Sequence, residues 1–168
     1  LVATDRRTTG TQLEDETIAL KAQSRARTQA PLGRIDVTSY NRVALITGEV
    51  PAEADKAAVE KVVAGVENVR GVVNELAVGE NASLAQRSAD SVITGKVKAS
   101  FVDAKDLQAN AFRVVTERGI VYLMGRVTEA ESAAAANAAR NVAGVAKVVK
   151  IFQIITPAEL AAMPMPPY

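Results

Sequence analysis

The stretch at residues 125–148, GRVTEAESAAAANAARNVAGVAKV, decides the fold of this chain because an earlier stretch repeats its pattern. Residues 48–69 read GEVPAEADKAAVEKVVAGVENV. Both stretches begin with Gly-x-Val, pass through an alanine-rich segment typical of a helix, and end on Ala-Gly-Val-x-x-Val. The copies lie about 77 residues apart, which is longer than the repeats of solenoid proteins. The chain is therefore predicted to contain two small domains of one design.

The two copies differ slightly in length. Gly48 and Gly65 are 17 positions apart, whereas Gly125 and Gly144 are 19 positions apart. We expect the two additional residues to lie in the second alanine-rich helix or at its start. Gly65 is expected to end the first of these helices in the left-handed conformation that glycine adopts without strain.

Each copy predicts the order helix, strand, strand, helix, strand. Alternating apolar runs predict a hairpin, and a helical crossover then leads to a third strand. The fold class is therefore α+β, with two tandem domains that each pack two helices on a three-stranded mixed sheet. The predicted strands are 35–39, 43–50 and 69–78 in the first copy, and 112–117, 120–127 and 146–155 in the second.

Domain boundaries follow from the ends of this pattern. The first domain is predicted at residues 15–79 and the second at residues 83–156, with Asp15 in the group that caps the first helix. Residues 1–14 show no hydrophobic period and are expected to form an extended lead-in. Residues 157–168 are rich in proline and are expected to form a C-terminal tail that holds at most a short turn.

Composition excludes several classes of catalytic site. The chain has no cysteine and no histidine, which removes disulfides, thiolate nucleophiles, Ser-His-Asp triads and histidine metal ligands. We predict a non-enzymatic protein with no catalytic residue, no bound metal and no cofactor. No phosphate-binding loop and no exposed aromatic pair of the RNA-binding type is present, so no nucleic-acid partner is expected.

The net charge of +1 is distributed unevenly along the chain. Residues 1–80 hold 10 basic and 12 acidic side chains, whereas residues 81–168 hold 10 basic and 7 acidic ones. The second half is therefore better suited to an anionic partner, although its excess of charge is small.

The repeated pattern of strand, Gly-x-Val, helix, Gly-Val-x-x-Val and strand resembles the BON domain. Together with DRRTTGTQ at residues 5–12 and VYLMGRVTE at residues 121–129, the pair resembles the dual-BON outer-membrane lipoproteins. The resemblance covers roughly residues 4–155. The motifs that carry it are Gly48-Glu-Val50 with Gly65-Val66-Glu-Asn-Val69, and Gly125-Arg-Val127 with Gly144-Val145-Ala-Lys-Val148.

The resemblance implies a location and a ligand. Proteins of this kind lie on the periplasmic face of the outer membrane, bind anionic phospholipid through the first helix of the second domain, and support envelope integrity. They are anchored through an acylated cysteine, and because this chain has none, the anchor is expected upstream of Leu1. The expected lipids are phosphatidylglycerol and cardiolipin, and envelope proteins are further candidates for partners.

The helix predicted at residues 84–102 carries the candidate site. At about 100° per residue, Ile93, Val97 and Phe101 share one stripe, which is the expected core face. A second apolar stripe lies opposite with lysines on its flanks, an arrangement that suits the surface of an anionic bilayer. The candidate lipid-binding residues are Val92, Gly95, Lys96, Lys98, Ala99 and Val102.

Two alternatives remain open. The second stripe also suits packing against the first domain, since exposed apolar patches mark interfaces of any kind. The alternative function is a soluble periplasmic stress protein or chaperone-like module that binds other proteins. Elsewhere, Arg6 and Arg7 are interpreted as part of a charged flexible arm, and Tyr40 and Tyr122 as packing residues.

Overall fold

The computed structural model describes residues 5–163, so the predicted lead-in at 1–4 and tail at 164–168 lie outside the described residues. The described chain divides into two units. The first domain is Arg7–Ser83, and the second domain begins at Leu84 and also includes Arg6 from the start of the chain. Each unit combines helices with one mixed sheet, which confirms the predicted α+β class.

The first domain contains one hairpin whose inner strand is also paired in parallel. β1 and β2 are antiparallel, and β3 and β4 both lie parallel to β2. Apolar side chains of the sheet, among them Val37 and Ile46, form one core with Ala22 and Ala26 of α1 and with Val59 of α2. The elements are α1 (Thr9–Gln29), β1 (Arg34–Tyr40), β2 (Val43–Val50), α2 (Glu53–Ala64), β3 (Gly71–Asn74) and β4 (Ala77–Val78).

The second domain repeats this design with a continuous third strand. β5 and β6 are antiparallel, and β7 pairs with β6 in parallel along its whole length. Its core contains three aromatic rings, with Phe112 4.9 Å from Phe101 and 5.8 Å from Phe152 between ring centroids. The elements are α3 (Leu84–Asp103), a 3-10 turn (Ala109–Ala111), β5 (Phe112–Glu117), β6 (Ile120–Val127), α4 (Glu129–Arg140), β7 (Lys147–Ile154) and α5 (Pro157–Ala161).

The first helix starts earlier than its apolar pattern predicts. Thr8 is the N-cap, and its hydroxyl accepts a hydrogen bond of 3.1 Å from the amide of Thr11. The prediction that residues 1–14 are extended is therefore wrong from Thr9 onward, and Asp15 is a buried helix residue rather than a cap. A satisfied N-cap allows the helix to extend beyond the residues that contact the core.

The third strand of the first domain is also shorter than predicted. The run at 69–78 breaks into β3 and β4 because Leu76 turns into the core, where it is 2% exposed. The side chain of Asn74 accepts a hydrogen bond from the amide of Leu76 and bridges the break.

The difference in length between the two copies does not lie in the helices. α2 and α4 each have 12 residues, and α4 does not begin later after Gly125 than α2 begins after Gly48, so the prediction of two additional residues in the second helix or at its start is wrong. Aligning the two copies on their shared Ala-Gly-Val motif also pairs residues that are not structurally equivalent. Gly65 has a φ of −83°, whereas Gly144 has a φ of +92°. In the first domain the left-handed position belongs to Asn68, with a φ of +72°.

Backbone hydrogen bonds fix the correct equivalence. The amide of Arg70 donates to the carbonyl of Arg42 at 2.9 Å, and the amide of Ala146 donates to the carbonyl of Gly119 at 2.8 Å. Both bonds tie the end of the helix crossover to the hairpin turn. The two copies therefore superpose Asn68 on Gly144, two residues that tolerate left-handed backbone better than most.

Candidate functional site

A buried carboxylate fixes α3 against its sheet. Asp90 is 4% exposed and accepts hydrogen bonds from the amides of Arg118 at 2.8 Å and Gly119 at 2.9 Å, in the turn between β5 and β6. Ile93, Val97 and Phe101 follow on the same side and are buried, which confirms the predicted core stripe. The outward side of the helix is thereby also determined.

The six predicted lipid-binding residues all lie on the exposed side of α3. Val92 is 56% exposed and Val102 is 71% exposed, which are high values for apolar side chains. Contact with lipid remains a prediction. We call this surface the α3 face, defined by Val92, Gly95, Lys96, Lys98, Ala99 and Val102.

The two lysines flank the apolar part of the α3 face. In the region that the structure describes, neither Lys96 nor Lys98 forms an ion pair with a carboxylate. Thr94, by contrast, bonds the hydroxyl of Thr116 at 2.7 Å and belongs to the domain itself. The lysine charges are therefore available to an external anion, while the threonine is not.

No packing contact within the described part of the chain explains the glycine at position 95. A Cβ atom at this position would meet no atom within 4 Å, and its φ lies outside the left-handed range. Glycine inside a helix costs about 1 kcal/mol relative to alanine. The helix therefore carries a destabilising residue in the centre of its most exposed surface.

Leu84 is a member of this surface that the sequence analysis did not include. It is 76% exposed and begins α3. Val102 follows it after 18 residues, which is about five helical turns, so the two side chains point to the same side. Counting whole turns back from Val102 would have found it in the sequence.

The first domain offers an internal comparison. Asp15 is 2% exposed and accepts from the amides of Asn41 and Arg42, both at 2.8 Å, as Asp90 does from the equivalent turn. The buried residues that follow also correspond, Ile18 with Ile93. On this alignment Thr17, Leu20, Lys21, Gln23, Ser24 and Arg27 of α1 stand where Val92, Gly95, Lys96, Lys98, Ala99 and Val102 stand in α3.

The corresponding surface of α1 is mostly polar and partly occupied. Arg27 donates to the carbonyl of Ile35 at 3.1 Å, and Gln23 accepts from the amide of Val37 at 3.1 Å. Leu20 is its one apolar member, exposed to 71%. An apolar surface between lysines is thus a property of the second copy and not of the fold.

The two arginines at the start of the described chain and the two candidate tyrosines have structural roles. Arg7 pairs with Asp15 at 3.0 Å and lies 4.4 Å above the ring of Tyr40. Arg6 pairs with Glu131 at 2.7 Å. The interpretation of these arginines as a flexible arm is therefore wrong. Tyr40 and Tyr122 are buried, as predicted for packing residues.

Within residues 5–163, no group of three or more acidic side chains is arranged to hold a metal ion. Over the same residues, no helix is long and apolar enough to cross a bilayer.

Comparison with known proteins supports a family assignment. The outer membrane lipoprotein DolP of Haemophilus influenzae is 41% identical over 158 residues, covering 92% of this chain and 81% of that protein. The 21 kDa hemolysin of Actinobacillus pleuropneumoniae is 34% identical over 154 residues, covering 90% and 79%. The C-terminal domain of CdsD, a type III secretion structural protein of Chlamydia trachomatis, is 11% identical with a TM-score of 0.35 over 82% of this chain and 96% of that one.

The family model of the BON domain matches the chain twice, at residues 14–80 and 89–156. These two matches fall within the two structural domains described above. They account for most of the chain and leave out residues 1–13, 81–88 and 157–168. The chain therefore belongs to the BON-domain family and carries two BON domains in tandem.

Proposed function

We propose that this protein binds anionic phospholipid through the α3 face, at the periplasmic side of the outer membrane, and thereby supports envelope integrity. The single observation that carries the proposal is the exposure of Val92 and Val102 between two lysines that form no ion pair within residues 5–163. Apolar side chains can enter the boundary layer of a bilayer while ammonium groups meet the phosphates. The polar counterpart surface on α1 argues that this composition is not required by the fold.

The expected strength of this contact is low. Each lysine near an anionic surface contributes about 1 kcal/mol, and a valine side chain buries little area. Electrostatic attraction of exposed charges is also screened over about 10 Å at moderate ionic strength. Binding by the chain alone should therefore be weak and sensitive to salt.

A tether to the membrane would raise this weak affinity. The relative from Haemophilus influenzae is an outer membrane lipoprotein, so we propose the same location for this protein and a lipid anchor attached upstream of Leu1. An anchored chain meets the bilayer at a high effective concentration, and a weak second contact then becomes effective. The role proposed here is that of a lipid-binding protein and not of an enzyme.

Cosedimentation with vesicles tests the proposal. The protein should bind phosphatidylglycerol or cardiolipin vesicles at low salt, bind them less at high salt, and not bind phosphatidylcholine vesicles. Equal binding to anionic and zwitterionic vesicles, or no binding at low salt, would contradict the proposal. In the second case, capture of envelope proteins would favour the protein-binding alternative.

The chain supplies a matched pair of variants for this experiment. Val102→Glu places a carboxylate in the α3 face and should weaken binding about tenfold, since it removes apolar contact and repels the anionic surface. Leu20→Glu places the same charge on α1 at a position that is equally exposed, 71% in both cases. The second variant should bind like the unchanged protein. If both variants lose binding equally, the α3 face is not the contact.

A further inference from the structure

Arg6, close to the start of the described chain, is bound to the second domain, and we call this contact the strap. Arg6 lies far from this domain in sequence, yet its guanidinium donates to both carboxylate oxygens of Glu131, at 2.8 and 2.7 Å. It also donates to the carbonyl of Arg126 at 3.0 Å, and Arg126 donates in return to the carbonyl of Arg6 at 2.9 Å. Four hydrogen bonds therefore hold one residue in place.

The strap is anchored to a rigid part of the second domain. The side chain of Glu131 also accepts from the amide of Thr128 at 2.9 Å and completes the capping box that begins α4. The side chains of Arg6 and Glu131 are only 8% and 11% exposed, so their bidentate pair is largely protected from solvent. Burial raises the pKa of Glu131, but the hydrogen bonds from Arg6 and Thr128 outweigh it and hold that pKa below its usual value.

The strap and one end of the α3 face lie at the same end of the domain. Phe101, next to Val102, packs against Phe112 at the start of β5. Phe112 pairs with Gly125, whose neighbour Arg126 holds the strap. The opposite end of α3 is fixed by Asp90 at the turn between β5 and β6. Arg6 therefore lies at the Val102 end of the second domain.

We propose that this strap holds the attachment point of a membrane tether, ahead of residue 6, beside the Val102 end of α3. A tether attached at this point would turn the α3 face toward the bilayer. The inference rests on the proposed lipid contact and adds an orienting role for Arg6, Arg126 and Glu131. A tether without the strap would keep the protein near the membrane without selecting which surface meets it. Arg6 is thus a positioning residue and does not itself contact lipid.

The test uses an artificial tether. The full chain has no cysteine, so a cysteine added ahead of Leu1 can be coupled selectively to a maleimide lipid in vesicles of phosphatidylglycerol and phosphatidylcholine. Protection of α3 backbone amides from hydrogen exchange then reports contact with the bilayer. We expect protection in the unchanged chain, strongest near Val102, and at least about a threefold loss of it in Arg6→Gln.

Three controls separate orientation from other effects. Arg7→Gln removes the neighbouring arginine, whose partner Asp15 is in the first domain, and should keep the protection of α3. Arg6→Lys retains the charge but loses the bidentate geometry, so it should give an intermediate result. Untethered Arg6→Gln should bind anionic vesicles within about twofold of the unchanged protein, because its α3 face is intact.

The outcomes distinguish the two proposals. If the untethered, unchanged protein fails to bind anionic vesicles, the proposed function fails and the orienting role fails with it. If that binding is present but tethered Arg6→Gln protects α3 as well as the unchanged chain does, only the orienting role is overturned. A thermal unfolding curve of Arg6→Gln identifies loss of fold, and in that case Arg6→Lys decides the question.

Discussion

The helices α1 and α3 hold the same position in two copies of one fold, yet they present different surfaces. Both are fixed by a buried aspartate, Asp15 or Asp90, that binds two amides of the adjacent hairpin turn. The outward side of α1 is mostly polar, whereas the outward side of α3 from Val92 to Val102 is apolar between lysines. The comparison teaches that the two copies share the residue that fixes each helix and differ in the surface that the helix turns outward.

The largest expected effect comes from removing the buried aspartate, Asp15 or Asp90, that fixes each helix; we call this residue the lock of its domain. Asp15→Ala and Asp90→Ala each remove a buried carboxylate that accepts from two backbone amides of the hairpin turn, so each should lower the free energy of unfolding of its own domain by about 3 kcal/mol or more. Asp15→Ala should have the larger effect, because Asp15 also binds the hydroxyl of Ser39 and the charged guanidinium of Arg7, whereas Asp90 also accepts from the neutral side-chain amide of Gln86.

Urea unfolding measures the size of these changes, and hydrogen exchange at the two turns assigns each change to a domain. Changes under about 1 kcal/mol for both variants would contradict the role of the two aspartates in fixing their helices.

A smaller loss of stability is expected when the first glycine of either Gly-x-Val motif is replaced, and its size should differ between the two motifs. Gly48 has a φ of +119°, and a Cβ there would collide with the carbonyl oxygen of Arg34. The φ of Gly125 lies outside the left-handed range, although a Cβ there would lie 2.7 Å from the carbonyl oxygen of Ala111. We expect Gly48→Ala to destabilise its domain by about 3 kcal/mol and Gly125→Ala to cost less. Thermal unfolding of the two variants provides the measurement, and the reverse order would show that φ does not dominate.

Lys96 and Lys98 test whether the α3 face differs in lipid binding from the corresponding surface of α1. Replacing Lys96 and Lys98 together by glutamine should weaken binding to phosphatidylglycerol vesicles by about 2 kcal/mol, since each contributes about 1 kcal/mol. Lys21→Gln changes the residue of α1 that is equivalent to Lys96 and should leave binding unchanged. Cosedimentation at low salt measures both variants. An equal loss in the two would indicate a general charge effect rather than a defined surface.

The smallest effect concerns Gly95. Gly95→Ala should raise the stability of the second domain by about 1 kcal/mol, because alanine is the better helix former and its methyl group would meet no atom. Gly10→Ala, close to the start of α1, is the matched change and should stabilise less, because helix ends fray. Thermal unfolding can resolve the difference. A destabilised Gly95→Ala variant would mean that this helix position has a contact the described residues do not reveal.

Local patterns in the sequence predicted most of the secondary structure and the two faces of α3. The hairpins, the crossover helices and the buried stripe of Ile93, Val97 and Phe101 follow from apolar periodicity. The alignment of Gly65 with Gly144 failed because a motif of three letters recurred at positions that differ in backbone conformation. A left-handed position accepts either glycine or asparagine, so matching glycines alone could not locate it.

The sequence by itself determined the duplication, the α+β class and the existence of an outward apolar stripe flanked by lysines. Only the tertiary structure decided that Asp15 and Asp90 are equivalent locks, that Arg6 belongs to the second domain, and that the two crossover helices have equal length. The physical reason is the range of the interactions. Hydrophobic periods are properties of neighbouring residues, whereas the partner of a buried charge is chosen among residues that the folded chain brings together from distant positions.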